Sequence, residues 1–253
     1  MDSQIHGSGR VKTAQRVFDI IELASDVGGV RTREVSDELG IAQSTAHGYL
    51  MTLEALGWLV RDDARFRLGA TFLRYERAAR DRLDLLERID PTLSWCAEET
   101  GETVWYVGEE QGRAIYLSKR EGPRASRSNG AVGKRAPLHA TACGKVILAD
   151  QPDARLEEID LPRYTAETIT DRDALRAEIR EVRNRDIAYN DGETTARLRA
   201  VACPVRSEDA VIGAITVCGP ERRIDDTASR TRLRTLLRGA ANEIELNLSD
   251  ACF

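Results

Sequence analysis

The chain has 253 residues, 42% of them hydrophobic, and carries a net charge of −5. That length holds one large domain or two modest ones with a real core. No apolar run reaches the roughly 18 residues of a membrane helix. Met1–Arg10 is polar and lacks the apolar centre of a signal peptide, so the expectation is a cytoplasmic protein without a membrane partner. The five cysteines, Cys96, Cys143, Cys203, Cys218 and Cys252, are scattered and odd in number, with no CxxC pair. Free thiols in a reducing compartment fit better than a disulfide framework.

Only four of the 37 basic residues are lysines. Many carboxylates with few lysines suggest a halophilic host; a GC-rich genome is the other reading. Residues 1–68 hold eight Lys/Arg against ten Asp/Glu, a balance of −2.

Along the chain, 11–25 reads as an amphipathic helix with Ala14, Val17, Phe18, Ile21 and Ala24 at spacings of three and four, ended by Gly28-Gly29. Two short helices follow, joined by a tight turn at Gly40. Val35 and Leu39 make a stripe on the first; Ala46, Leu50 and Leu53 make one on the second. That is the layout of a helix-turn-helix. The opposite face of the second helix carries Gln43, Ser44, Thr45, His47 and Gly48, small and uncharged enough to approach base edges. A recognition helix reads the major groove through its N-terminal residues. After Gly57, residues 58–68 alternate about Asp62-Asp63-Ala64 and read as a two-stranded wing.

Residues 70–89 read as one long helix stopped at Pro91. From Thr92 the pattern is mixed: a short helix over 92–99, strands over 103–107 and 114–118, and a helix over 140–149. A charged helix follows over 172–185. Strands come next at 187–189, 201–205 and 211–218, then a closing helix over 232–248. The strand 211–218 is apolar on both faces and belongs at the centre of a sheet. The expected fold is two domains. An all-α-rich winged helix-turn-helix occupies 1–69, and a linker helix follows at 70–90. An α+β domain with a central antiparallel sheet fills 91–253.

With these elements in order, the chain resembles the IclR family of transcriptional regulators. The head carries the resemblance through Gly40-Ile41-Ala42-Gln43-Ser44-Thr45-Ala46-His47. Three blocks carry it in the second domain: 137–145, Pro-Leu-His-Ala-Thr-Ala-Cys-Gly-Lys; 191–193 with 201–205, Asp-Gly-Glu and Val-Ala-Cys-Pro-Val; and 212–220, Ile-Gly-Ala-Ile-Thr-Val-Cys-Gly-Pro. The resemblance implies a GAF-like effector domain and assembly as a dimer or a dimer of dimers. Its partners would be a double-stranded DNA operator and a small-molecule effector. It implies no enzymatic activity, cofactor or metal. The family often carries a basic residue where this chain has Gly48.

The candidate DNA contacts are Gln43, Ser44, Thr45, His47 and Tyr49 on the recognition helix, Arg31 and Arg33 before it, and the wing arginines Arg61, Arg65 and Arg67. Ser44 or Gln43 as a helix cap, and the wing as a solvated charged hairpin, are the plainer readings. In the family, effectors lie between the helix carrying Thr-Ala-Cys-Gly and the last strands. By motif this implies Ala142, Cys143, Asn190, Ala200, Thr216 and Cys218, although the family often places an acid or a cysteine at Asn190 and Ala200. A helix N-terminus attracts carboxylates, so an anionic metabolite is expected. Buried cysteines also serve as small core hydrophobes. The rival reading is a thiol-based redox or metal sensor, or an enzyme, using Cys143 with His139. Glu193 is expected to tie a loop to the helix start.

Overall fold

The computed structural model describes residues 11–83, 85–126, 130–208 and 210–249. The chain divides into two compact units, Met1–Leu83 and Asp84–Phe253.

The first unit opens with α1 (Lys12–Asp26), α2 (Thr32–Leu39) and α3 (Gln43–Ala55). Val35 on α2 and Ala46, Leu50 and Leu53 on α3 close on Ile20, Ala24, Leu59 and Phe66 in one core. On α1 the buried line runs through Ile20 and Ala24, whereas Phe18 is 65% exposed. The expected stripe on that helix is therefore turned away from its centre. Gly40 sits at φ 60 as the left-handed cap of α2, a conformation glycine adopts without the Cβ penalty. Ser36 locks this turn by donating its hydroxyl to the Ile41 carbonyl at 2.7 Å. The wing is β1 (Leu59–Asp62) paired antiparallel with β2 (Arg65–Leu68). Its turn residue Asp63 is at φ 53.

The helix expected over 70–89 is two helices. α4 (Thr71–Arg80) stops before Asp81, and α5 (Leu85–Thr100) runs straight through Pro91. α4 buries no residue; it is held by Phe72 and Tyr75 against Trp58, with ring centroids 5.0 and 4.8 Å apart. α5 buries Leu86, Ile89, Thr92, Leu93, Cys96 and Ala97. That continuous face outweighs the one backbone hydrogen bond that Pro91 removes.

The second unit is built on a six-stranded antiparallel sheet in the order β5-β4-β3-β8-β7-β6. Its strands are β3 (Thr103–Glu110), β4 (Arg113–Glu121), β5 (Arg135–Ala136), β6 (Ala188–Asp191), β7 (Leu198–Ser207) and β8 (Ala210–Pro220). β8 lies between β3 and β7, as its two apolar faces require. The β3–β4 hairpin turns at Gln111 and Gly112, both at positive φ, as a two-residue hairpin demands. On one face α6 (Ala142–Asp150) lies on the strands, α8 (Arg172–Arg185) packs on α6, and α7 (Asp153–Glu158) packs on α8. The short α9 (Glu221–Ile224) and the 23-residue α10 (Thr227–Ser249) follow β8. Trp105, Val107, Ala202 and Ala214 join α6 and α8 in one core. The alternate strand residues Val104, Tyr106, Val201, Ile215 and Val217 are fully buried outside that cluster; strand periodicity turns them to the opposite face, where α5 and α10 pack. β5, α7 and α9 had no signal in the sequence: each is six residues or shorter.

Candidate functional site

In the head, α3 buries Ala46, Leu50 and Leu53 and turns Gln43, Ser44, Thr45, His47 and Gly48 to solvent. Tyr49 is half-buried against the head core, so its ring packs within the fold. Ala42, not Gln43 or Ser44, is the N-cap residue, and it makes no side-chain cap. The polar side chains at the start of α3 are thus not used as caps.

The arginines divide. Arg65 is turned inward. Its guanidinium donates to the Gly29 carbonyl at 2.6 Å and to both Glu34 oxygens at 3.1 and 3.3 Å. It fastens the wing to the start of α2, which corrects its expected place among the outward wing arginines. Arg67 pairs with Asp62 at 3.0 Å and Arg33 with Asp37 at 3.7 Å, all largely exposed. Arg61 lies over the Phe66 ring at 5.3 Å. Arg31 and Arg61 have no carboxylate partner among the described residues.

In the second unit, α6 starts against its own lead-in. The Thr141 hydroxyl accepts from the Gly144 amide at 3.1 Å and donates to the Pro137 carbonyl at 2.8 Å. A Cβ on Gly144 would stand 2.3 Å from the Leu138 carbonyl oxygen, so only glycine allows this approach. The helix start, with Ala142 and Cys143, is pressed over the sheet face carrying Trp105, Tyr116, Ala200 and Cys218. Register puts Ala200 opposite Cys218, and Thr216 opposite both Ala202 and Trp105. Tyr116, Ala200 and Cys218 are only partly buried beside the buried Trp105, Ala202 and Ala214. All six residues implied for effector binding therefore lie on α6 or on the strands β6, β7 and β8 around it.

Asn190, on β6 opposite Ala200, is already committed. Its amide donates to the Ala140 carbonyl at 2.8 Å and to Thr194, and its oxygen accepts from the Gly192 and Glu193 amides at 3.0 and 2.9 Å. It acts as a clamp between the α6 lead-in and the 191–194 loop, and has no hydrogen-bonding group left for a ligand. The Thr216 hydroxyl is likewise engaged, donating to the Val201 carbonyl at 2.9 Å.

The sequence reading missed Lys145 as a functional residue. It is fully enclosed and donates to Glu193 at 2.6 Å, to the Tyr189 carbonyl at 3.0 Å and to Glu178 at 3.1 Å. Glu193 does tie its loop to α6, through this ammonium. Burial still pushes the Glu193 carboxyl above its ordinary value against the pull of Lys145. Trp105 and Tyr116, tilted together at 4.7 Å, were also missed. Their alternation along β3 and β4 was the signal that marks them as one face.

The thiols Cys143, Cys203 and Cys218 lie in surroundings that favour the protonated form. Burial raises Cys143, and pushes Cys203 and Cys218 up to about 12. A thiol held that high is protonated and a poor nucleophile. His139 is buried, donates from Nε2 to the Pro162 carbonyl at 3.2 Å, and is shifted below its ordinary range by burial first. Among the described residues no three His, Cys, Asp or Glu side chains gather as a metal site. The sensor or enzyme reading of Cys143 finds no support in this environment.

Two family models match the chain in tandem: the IclR helix-turn-helix domain over residues 13–63 and the C-terminal domain of the bacterial transcriptional regulator IclR over 77–246. The chain belongs to the IclR family of transcriptional regulators. BhcR of Paracoccus denitrificans, an HTH-type transcriptional regulator, is 32% identical over 96% of this chain and 89% of its own. ArcR of Halobacterium salinarum is 29% identical over 99% of this chain and its whole length. The crystal structure of the Thermotoga maritima IclR shares the fold at a TM-score of 0.78 and 24% identity, covering 94% of this chain and 99% of its own. An IclR homolog from Microbacterium hydrocarbonoxydans, complexed with 4-hydroxybenzoate, matches at 0.76 and 25% identity over 93% and 97%. This IclR-type protein is a DNA-binding regulator with an effector-binding C-terminal domain, not an enzyme. No helix among the described residues is long and apolar enough to cross a membrane.

Proposed function

We propose that the head reads a pseudo-palindromic operator through Gln43, Ser44, Thr45 and His47, with Arg31 and Arg61 on phosphates. A small organic anion bound at the start of α6 would set the activity of the regulator. The observation that supports the ligand site is the partly open patch of Tyr116, Ala200 and Cys218 beneath α6. Free backbone N–H groups at a helix start favour a carboxylate, and the Trp105–Tyr116 pair offers an aromatic wall. The 4-hydroxybenzoate complex of the Microbacterium relative makes hydroxybenzoates the first probes to try. Asn190 and Thr216 shape this site from behind rather than touch the ligand.

The protein would work as a dimer or a dimer of dimers. The effector regulates only if its affinity differs between two arrangements of the chain. The domains proposed are a head over 1–69, a connector over 70–90 and an effector domain over 91–253, in a cytoplasmic protein.

The test is binding of the full chain to DNA upstream of its own and neighbouring genes, with and without a panel of aromatic and aliphatic carboxylates. Specific protection that one acid alters, and that Ala200→Leu renders unresponsive while DNA binding stays intact, supports the assignment. Unchanged effector response in Ala200→Leu would move the ligand elsewhere.

A further inference from the structure

The crest of α3 is built from its smallest residues. With Ala46, Leu50 and Leu53 in the core, a 100° step per residue places Ser44, Gly48 and Ala55 on the line farthest from it. Thr45 and Thr52 flank this line on one side, and His47 and Met51 on the other. Gly48 stands in the middle of a 13-residue helix, where glycine costs about 1 kcal/mol relative to alanine.

The fold does not ask for that glycine. Gly48 is absent from the positive-φ residues, so its backbone suits any L-residue. A Cβ added there would meet nothing within 4 Å. This contrasts with Gly144, where an added Cβ would collide with backbone. The Thr52 hydroxyl is turned back onto the Gly48 carbonyl at 2.8 Å, which keeps it inside the helix. What remains exposed at mid-crest is bare backbone beside the half-exposed Met51.

We infer that Gly48 is a specificity-determining residue. Its missing side chain lets the recognition helix lie against the base edges of the major groove. The inference rests on α3 being the groove-reading helix, as its family match implies. The close approach puts Ser44 and Met51 within reach of bases, so a methyl group at 48 lifts the whole helix off the groove. Phosphate contacts made from the wing tolerate such a lift, because charge acts over longer range than base contact. The loss therefore falls on specific binding.

The experiment starts by selecting duplexes from a random 24-base-pair library with the full wild-type chain. A consensus confirms sequence-specific binding; absence of any consensus would be a failure of the DNA-binding assignment itself, and is seen before any variant is made. Gly48→Ala and Gly48→Ser are then measured on the selected duplex and on a scrambled one. The control is Gly239→Ala on α10, another helical glycine with open space around it. The expected result is a melting temperature equal to or above wild type for both alanine variants. Gly48→Ala should then lose at least tenfold in affinity for the selected duplex and less than twofold for the scrambled one. Gly239→Ala should bind as wild type does. A Gly48→Ala protein that binds the selected duplex within threefold of wild type overturns the inference. So does one that loses equally on both duplexes.

Discussion

His139 shows how a residue chosen for one chemistry is used for another. It stands four positions before Cys143, a spacing that suits a base and its nucleophile. The structure instead buries it beside Tyr164, with its ring nitrogen on the Pro162 carbonyl. A neutral imidazole donating from Nε2 satisfies that carbonyl, and burial disfavours the charged ring. The folded pKa is thus below the unfolded one, about 6.5. Stability from this group is complete above about pH 6.5. It is lost as pH falls from there through the folded value. Against His139→Gln, which keeps a donor but does not titrate, wild type should be favoured by a constant amount above pH 7. That margin should shrink by up to about 1.4 kcal/mol per pH unit below 6.5. Chemical denaturation at pH 5, 6, 7 and 8 measures it, and a margin independent of pH refutes the neutral assignment.

At the scale of elements, Pro91 is the instructive failure of the sequence reading. Proline inside a helix removes a hydrogen bond to the carbonyl four residues back and crowds it, so a stop at 91 follows from local chemistry alone. The stripe Leu86, Ile89, Leu93, Cys96 crosses the proline without a break in period, and the sheet rewards all of it by burial. Pro91 itself is exposed. Pro91→Ala should therefore supply the missing amide to the Glu87 carbonyl and raise stability by about 2 kcal/mol. This nets a helix gain of about 3 against a more flexible unfolded chain. A drop in melting temperature would mean the helix is shaped by the proline. Elsewhere the period was enough. The stripes of α2 and α3, the turn at Gly40 and the central place of β8 were legible because each depends on neighbours in sequence. Side-chain commitments were not. Asn190 as a backbone clamp, Arg65 as an inward tie to Glu34 and Lys145 as a buried cation depend on partners 31 to 50 residues away. No spacing rule announces such partners.

The electrostatics of the whole molecule bear on how it holds DNA. The chain is acidic, and the head, counted to residue 68, carries −2. Of five arginines expected on DNA, Arg33, Arg65 and Arg67 face Asp37, Glu34 and Asp62. Arg31 and Arg61, proposed as the phosphate contacts, have no carboxylate partner among the described residues. Each neutralised phosphate adds about −0.9 to the slope of log affinity against log salt, so two per head give roughly −4 for a pair of heads. A protein with six to ten phosphate contacts falls off far more steeply. Base contacts from an uncharged helix face carry no such penalty, and a lysine-poor acidic surface keeps a protein dispersed where salt screens charge. We therefore expect specific operator binding to persist into molar potassium chloride with a slope near −4. Titrating salt against binding of a fixed operator duplex measures it directly. A slope steeper than about −6 would show that the exposed Arg33–Asp37 and Arg67–Asp62 pairs open to grip phosphate. The head would then be a conventional basic binder whose charge the unbound fold conceals.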